Sequence, residues 1–170
     1  YRILKRLSRE FYPLMELSRL PQCQECVQHG DTTVLLHCVA VAYFSLWLVK
    51  FLHIRCNERC LVRGALLHDF FLYDWHEKNA GHPFHGWTHP ATALYNARRR
   101  FPLNYREQNI IRSHMWPFTL RKLPRCREAV LVNLADKICS SWEILRPQPY
   151  RSLFHQLQEQ RLIWTTEEKK

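Results

Sequence analysis

A chain of 170 residues can bury one sizeable core, so the whole of 1–170 is expected to form a single domain. Apolar residues make up 46 % of it and only four residues are Gly, which suits a compact helical domain better than a disordered or all-β one. Lys and Arg number 25 against 15 acidic residues, and a net charge of +10 favours anionic partners over cationic ones.

In chain order, the amphipathic N-terminus predicts a first helix from Ile3 to about Arg19, stopping before Pro21. It lacks the uninterrupted apolar run of a secretory signal. Residues 21–31 read as a loop, in which Gly30 stops one element and Asp31 caps the next. A second helix follows from Thr32 to about His53. Between Val34 and Leu52 it is long and apolar enough to cross a bilayer, but His37, Ser45 and Lys50 interrupt it. A core helix buried on all sides is the favoured reading, with no membrane involved.

Asn57 caps a third helix that ends at His68-Asp69. Residues 73–88, rich in Gly, Pro, His and aromatics, read as a long loop near a site. Pro90 fits the first turn of a fourth helix, which puts His89 at its N-cap. Asn104 with Glu107 predicts a capping box for a fifth helix that ends near Met115, because Pro117 blocks continuation. A sixth helix spans about Arg125 to Leu145, its main apolar stripe being Val130, Leu131, Leu134, Ile138, Trp142 and Leu145. Tyr150 to Lys170 reads as one more helix and a charged tail. No alternating strand pattern occurs, so the fold class is all-α, with six to seven helices.

Seven scattered Cys suit reduced thiols in a cytoplasmic protein. Cys23 and Cys26 have the spacing of half a zinc knuckle, but no second such pair exists, so they read as loop chemistry.

The chemistry centres on His68-Asp69, an ionisable pair ending an otherwise apolar helix. Burying a carboxylate among Leu and Phe is costly without a compensating charge, and a divalent metal supplies one. His37 shares a helix face with Val34, Val41 and Phe44, so it points into an apolar interior. His114 lies at a helix C-terminus beside Ile110 and Ile111. Asp136 sits off the main stripe of its helix, near Val132, Cys139 and Glu143. Two His and two Asp supply nitrogen and oxygen ligands suited to Mn, Fe, Zn, Ni or Mg. His89 and His114 add ligands for a second ion, with Asp69 bridging.

The order His37, His68-Asp69, His89, His114, Asp136 resembles the HD superfamily of metal-dependent phosphohydrolases. The local contexts fit as well: Leu66-Leu67-His68-Asp69, His89-Pro90-Ala91-Thr92-Ala93, Ile110-Ile111-Arg112-Ser113-His114 and Leu134-Ala135-Asp136-Lys137. The resemblance covers about 28–145. It implies an HD-type helical bundle in which His37, His68, Asp69 and Asp136 hold one metal, with His89 and His114 available for a second. The chain departs from some nucleotide-cleaving relatives, which place a Lys shortly after the pair; here Phe70-Phe71-Leu72-Tyr73-Asp74 follows. The GYP triplet of cyclic dinucleotide phosphodiesterases is absent. His85 competes with His89 for the second-metal role.

The expected activity is hydrolysis of a phosphate ester or nucleotide by a metal-activated water. Asp69 and Asp74 are the candidate catalytic carboxylates, Asp74 as general base. Lys137, Arg63 and Arg112 are candidate contacts to phosphate oxygens, Lys137 also as a catalytic group. The expected partner is a phosphorylated small molecule, with a nucleotide among the candidates and nucleic acid a less favoured one. A di-iron oxygenase of the same superfamily, or a non-catalytic module binding nucleotide or nucleic acid, are the alternatives.

Overall fold

The computed structural model describes residues 2–17, 27–29, 32–71, 85–146, 150, 152–153 and 155–156. Its elements are α1 (Arg2–Leu17), β1 (Val27–His29), β2 (Thr32–Thr33), α2 (Val34–Phe51), α3 (Glu58–Leu67), α4 (His85–Arg100), α5 (Tyr105–Ser113) and α6 (Arg127–Leu145). The fold is the expected all-α bundle, with one small addition. β1 and β2 pair antiparallel, Val27 with Thr33 and His29 with Thr32, where sequence patterning predicted only a loop. Three- and two-residue strands are too short to produce an alternating pattern.

Helix α2 is the centre of the bundle and packs against α1, α3 and α6. Val34, Leu35, Cys38, Val39, Ala40, Val41, Ala42 and Leu46 are all buried, which accounts for its apolar composition. Its N-cap is Thr33, whose hydroxyl accepts from the Leu36 N–H at 3.3 Å, so the cap falls two residues after the expected Asp31. A β-branched residue satisfies the short strand and caps the helix at one position. At the other end His53 takes φ 52°, and the Ile54 and His53 N–H groups bond back to the Val49 and Lys50 carbonyls. This is a Schellman closure with His where Gly is usual, so the sequence carried no stop signal.

Helix α3 starts as expected: the Asn57 side chain accepts from the Cys60 N–H. Every residue from Cys60 to Phe71 is buried. Gly64 lets α5 approach closely, since a Cβ there would meet the Ile110 side chain at 2.5 to 2.9 Å. The predicted capping box of α5 is present, with Asn104 and Glu107 each accepting the other's backbone N–H.

Two expectations about helix placement are corrected. Helix α4 begins at His85, so His89 lies within its second turn and Pro90 is inside the helix. A Pro there forfeits one intrahelical bond but does not prevent the preceding turn from forming. Helix α6 buries the face opposite to its apolar stripe. Val130, Leu134, Ile138, Trp142 and Leu145 are exposed, whereas Ala129, Val132, Ala135, Asp136, Cys139 and Glu143 are buried. Only Leu131 of the predicted stripe is in the core. Polar pairing with α2 and α5, described below, oriented this helix against its hydrophobic pattern.

The five described cysteines, Cys38, Cys56, Cys60, Cys126 and Cys139, are free thiols. Cys23 and Cys26 lie outside the described residues, as does nearly all of the predicted C-terminal helix.

Candidate metal centre

Five helices deliver six ionisable side chains to one buried point. His37 comes from the first turn of α2, His68 and Asp69 from the end of α3, His89 from α4, His114 from the end of α5 and Asp136 from the middle of α6. All six are buried, His37 and His68 completely.

His68 and His114 are held by the same local device. Each occupies the C-cap of its helix, and its Nδ1–H donates to the carbonyl three residues earlier: His68 to Ala65 at 2.7 Å, His114 to Ile111 at 2.9 Å. Carbonyls in the last turn of a helix lack intrahelical donors, so these bonds satisfy them. They also place each ring's Nδ1 proton and turn Nε2 toward the cluster.

Asp69 faces two ways. Its Oδ2 is 3.5 Å from His68 Nε2 and 3.9 Å from His37 Nε2. Its Oδ1 is 3.3 Å from His89 Nε2 and 3.4 Å from His114 Nε2. Asp136 Oδ1 closes the first group, at 3.2 Å from His37 Nε2 and 3.6 Å from His68 Nε2. Donor atoms sharing one divalent ion, with bonds of about 2.1 Å, lie about 3.0–3.4 Å apart on an octahedral or tetrahedral edge. The observed separations match that spacing to within about half an ångström.

One atom tests the fit to a cation directly. Among the described residues His68 Nε2 is buried with no hydrogen-bond partner, because its neighbouring carboxylate oxygens are too far for a good bond. A buried polar atom is normally satisfied. A cation held between this nitrogen and the two carboxylates satisfies it and neutralises them. The donor set is therefore compatible with a divalent metal, and its mixed imidazole and carboxylate chemistry suits several first-row ions.

The electrostatics point the same way. Burial opposes ionisation of Asp69 and Asp136, but His68 chiefly for the first and His37 for the second hold both carboxyls well below the usual range. Burial likewise opposes charge on His37, yet Glu143 and Asp136 raise it well above an ordinary imidazole. Asp69 does the same for His68. His114 goes the other way, pushed down by burial to about 3, which keeps its Nε2 unprotonated near neutral pH. That nitrogen lies 2.8 Å from His89 Nε2.

The chain belongs to the HD domain family. A model of that family matches residues 34–140, from the start of α2 into α6, and so contains all six clustered residues. No curated protein and no solved structure matches the chain significantly.

Around this HD cluster, sequence reasoning missed Glu143. It is buried one helical turn beyond Cys139, on the Asp136 face of α6, and its oxygens lie 2.8 and 3.0 Å from His37 Nδ1. The Tyr150 hydroxyl donates to the same carboxylate at 2.8 Å. Its spacing of seven residues from Asp136 was the available signal, since that interval returns to one helix face.

The other candidates are dispersed. Lys137 donates to the His114 carbonyl at 2.9 Å and stands 3.5 Å from Asp136 Oδ2, so it braces the centre from its edge. Asn133 donates to the carbonyls of His114 and Trp116 at 2.5 and 2.6 Å, fixing the end of α5 to α6. Arg63, expected at phosphate, is instead buried against Glu107, Nε to Oε1 2.7 Å, at the far end of α5 from His114. A guanidinium in that position braces α3 to α5, and Glu107 neutralises it. Arg112 is exposed on the outside of α5, in a basic cleft away from the six residues. Asp74 and the side chain of His85 lie outside the described residues.

Proposed function

We propose that this HD domain is a metal-dependent phosphohydrolase acting on a phosphate ester or nucleotide of modest size. The observation that carries the reading is Asp69, whose two oxygens face two separate groups of imidazoles. His37, His68, Asp69 and Asp136 would hold one ion of Mn, Fe, Ni, Zn or Mg. His89 and His114, with the other oxygen of Asp69, would hold a second. Bound there, such ions lower the pKa of water and neutralise charge on a phosphoryl oxygen.

The protein's own groups prepare that chemistry. Glu143 and the Ala65 and Ile111 carbonyls fix three of the four rings, so the cluster is rigid before substrate arrives. Lys137 holds the outer oxygen of Asp136 by charge, leaving Oδ1 aimed at His37 and His68. Asp69 carries no proton near neutral pH and stays available as a bridge. Asp74 remains the candidate general base.

The test is elemental analysis of untagged wild type and Asp69→Ala, beside assays on a phosphate-ester panel with Mn, Mg, Ni and Fe(II). One to two equivalents of metal (the range of mono- and dinuclear sites), lost with turnover in the variant, are expected. Metal retained by Asp69→Ala refutes the site. Metal bound by the wild type without hydrolysis of any ester refutes the reaction.

A further inference from the structure

A second feature has nothing to do with the metal ligands. Five cations converge on a cleft of about 150 Å³ between α4, α5 and the segment leading to α6: Arg98, Arg112, Arg121, Lys122 and Arg125. No carboxylate lines it, and none of the five has an acidic partner within 4 Å among the described residues. Burial and the neighbouring Arg112 charge together pull the Lys122 amine below its ordinary range.

The fold holds these like charges together deliberately. Asn109 Oδ1 accepts the Arg125 N–H at 2.7 Å, and its amide donates to the Leu123 carbonyl at 3.4 Å. One buried side chain therefore pins the backbone that displays Arg121, Lys122 and Arg125. Concentrating cations in this way costs free energy in the free protein and is offset when an anion enters.

A second, wider cleft of about 750 Å³ continues from the first, with Tyr105 and Arg125 in both walls. It adds Arg55, Arg106 and Arg127, against one carboxylate, Glu128, which pairs with Arg106 at 3.0 Å. Eight cations thus line two adjoining clefts, five in the first and three more in the second. At the junction Tyr105 is 63 % exposed. One phosphate or pyrophosphate needs fewer cations and no exposed ring. A track of cations beside an open aromatic face suits a chain of phosphates carrying bases, because any base can stack.

From this geometry we infer that the two clefts bind single-stranded nucleic acid, the backbone following the cations and a base stacking on Tyr105. None of the six metal-centre residues lines either cleft, so the inference stands apart from the hydrolase reading.

The experiment measures fluorescence anisotropy of labelled oligothymidylate and oligouridylate of about 12 nucleotides with the full chain. Salt is varied between about 50 and 200 mM, with tripolyphosphate as competitor. Arg98→Ala/Arg121→Ala is expected to weaken binding at least tenfold at the low-salt end. It should also flatten the log K against log salt slope by about 1.4, which is two lost contacts at about 0.7 each. Tyr105→Ala should weaken binding roughly tenfold with the slope unchanged, because stacking releases no counterions. All three side chains are exposed, so the variants should melt with the wild type. Unchanged affinity in the double variant overturns the assignment of the strand to these clefts. Tripolyphosphate binding without strand binding makes this a small-polyanion site and overturns it too, as does no binding of either.

Discussion

Replacing Glu143 by Gln tests how the HD centre is organised while leaving all six candidate ligands in place. In the wild type, Oε1 lies 2.8 Å from His37 Nδ1 and also accepts from the Tyr150 hydroxyl at 2.8 Å, while Oε2 lies 3.0 Å from Nδ1. A carboxylate accepts everywhere, so the His37 proton sits on Nδ1 and Nε2 faces the cluster as a donor to metal. Gln has one accepting atom. With its oxygen kept on the Tyr150 hydroxyl, its NH₂ takes the Oε2 place 3.0 Å from Nδ1, opposes the Nδ1–H and favours moving that proton to Nε2, the nitrogen a metal needs. Loss of such an outer partner of a ligating His typically costs about 10- to 100-fold in metal affinity, or about 1.4–2.7 kcal/mol. The expected result is a Kd weakened within that range, read by competition with a fluorescent chelator. A change in the His37 tautomer, seen in long-range ¹H–¹⁵N spectra of the metal-free protein at a pH high enough to leave the ring neutral, should accompany it. Affinity within about twofold of wild type with an unchanged tautomer would refute the reasoning, since that loss is far below the expected range.

Two further outcomes follow from the same geometry. In the metal-free protein the raised pKa values of His37 and His68 contribute stability that is complete below the unfolded value of about 6.5 and is lost as pH rises through their folded values. His114 acts oppositely, costing stability as pH falls from about 6.5 toward about 3. The melting temperature of chelator-treated protein should therefore fall from neutral to alkaline pH, and bound metal should abolish that fall; a flat alkaline limb in chelator would show that these imidazoles are not charged. Gly64→Ala drives a methyl into Ile110, which should cost about 1–3 kcal/mol and be partly recovered by adding Ile110→Val, as read by denaturant titration. An Ala variant as stable as wild type would mean that α3 and α5 do not approach this closely.

Much of the centre was legible because its chemistry restricts residue type. The six clustered residues could be named in advance because His and Asp stand in an order and in local contexts that resemble the HD superfamily. The caps at Asn57 and Asn104 were equally legible, since a side-chain oxygen ahead of a helix is a local signal. Arg63 was misread for the opposite reason: a cation in the sequence does not announce its partner, and Glu107 lies 44 residues away.

Helix α6 shows most clearly what sequence cannot decide. Its hydrophobic periodicity pointed to Val130, Leu134, Ile138 and Trp142, yet these are exposed. The buried face is chosen by partners on other helices: His37 for Asp136 and Glu143, and the His114 and Trp116 carbonyls for Asn133. The sequence by itself determined the helical class, the candidate residues of the cluster and the local caps, because each depends on residues a few positions apart or on side-chain chemistry alone. The tertiary structure alone decided which face of α6 turns inward, which carboxylate steers His37 and where the cations gather. Those depend on which polar groups meet once the helices pack, and a buried polar group left without a partner is costly.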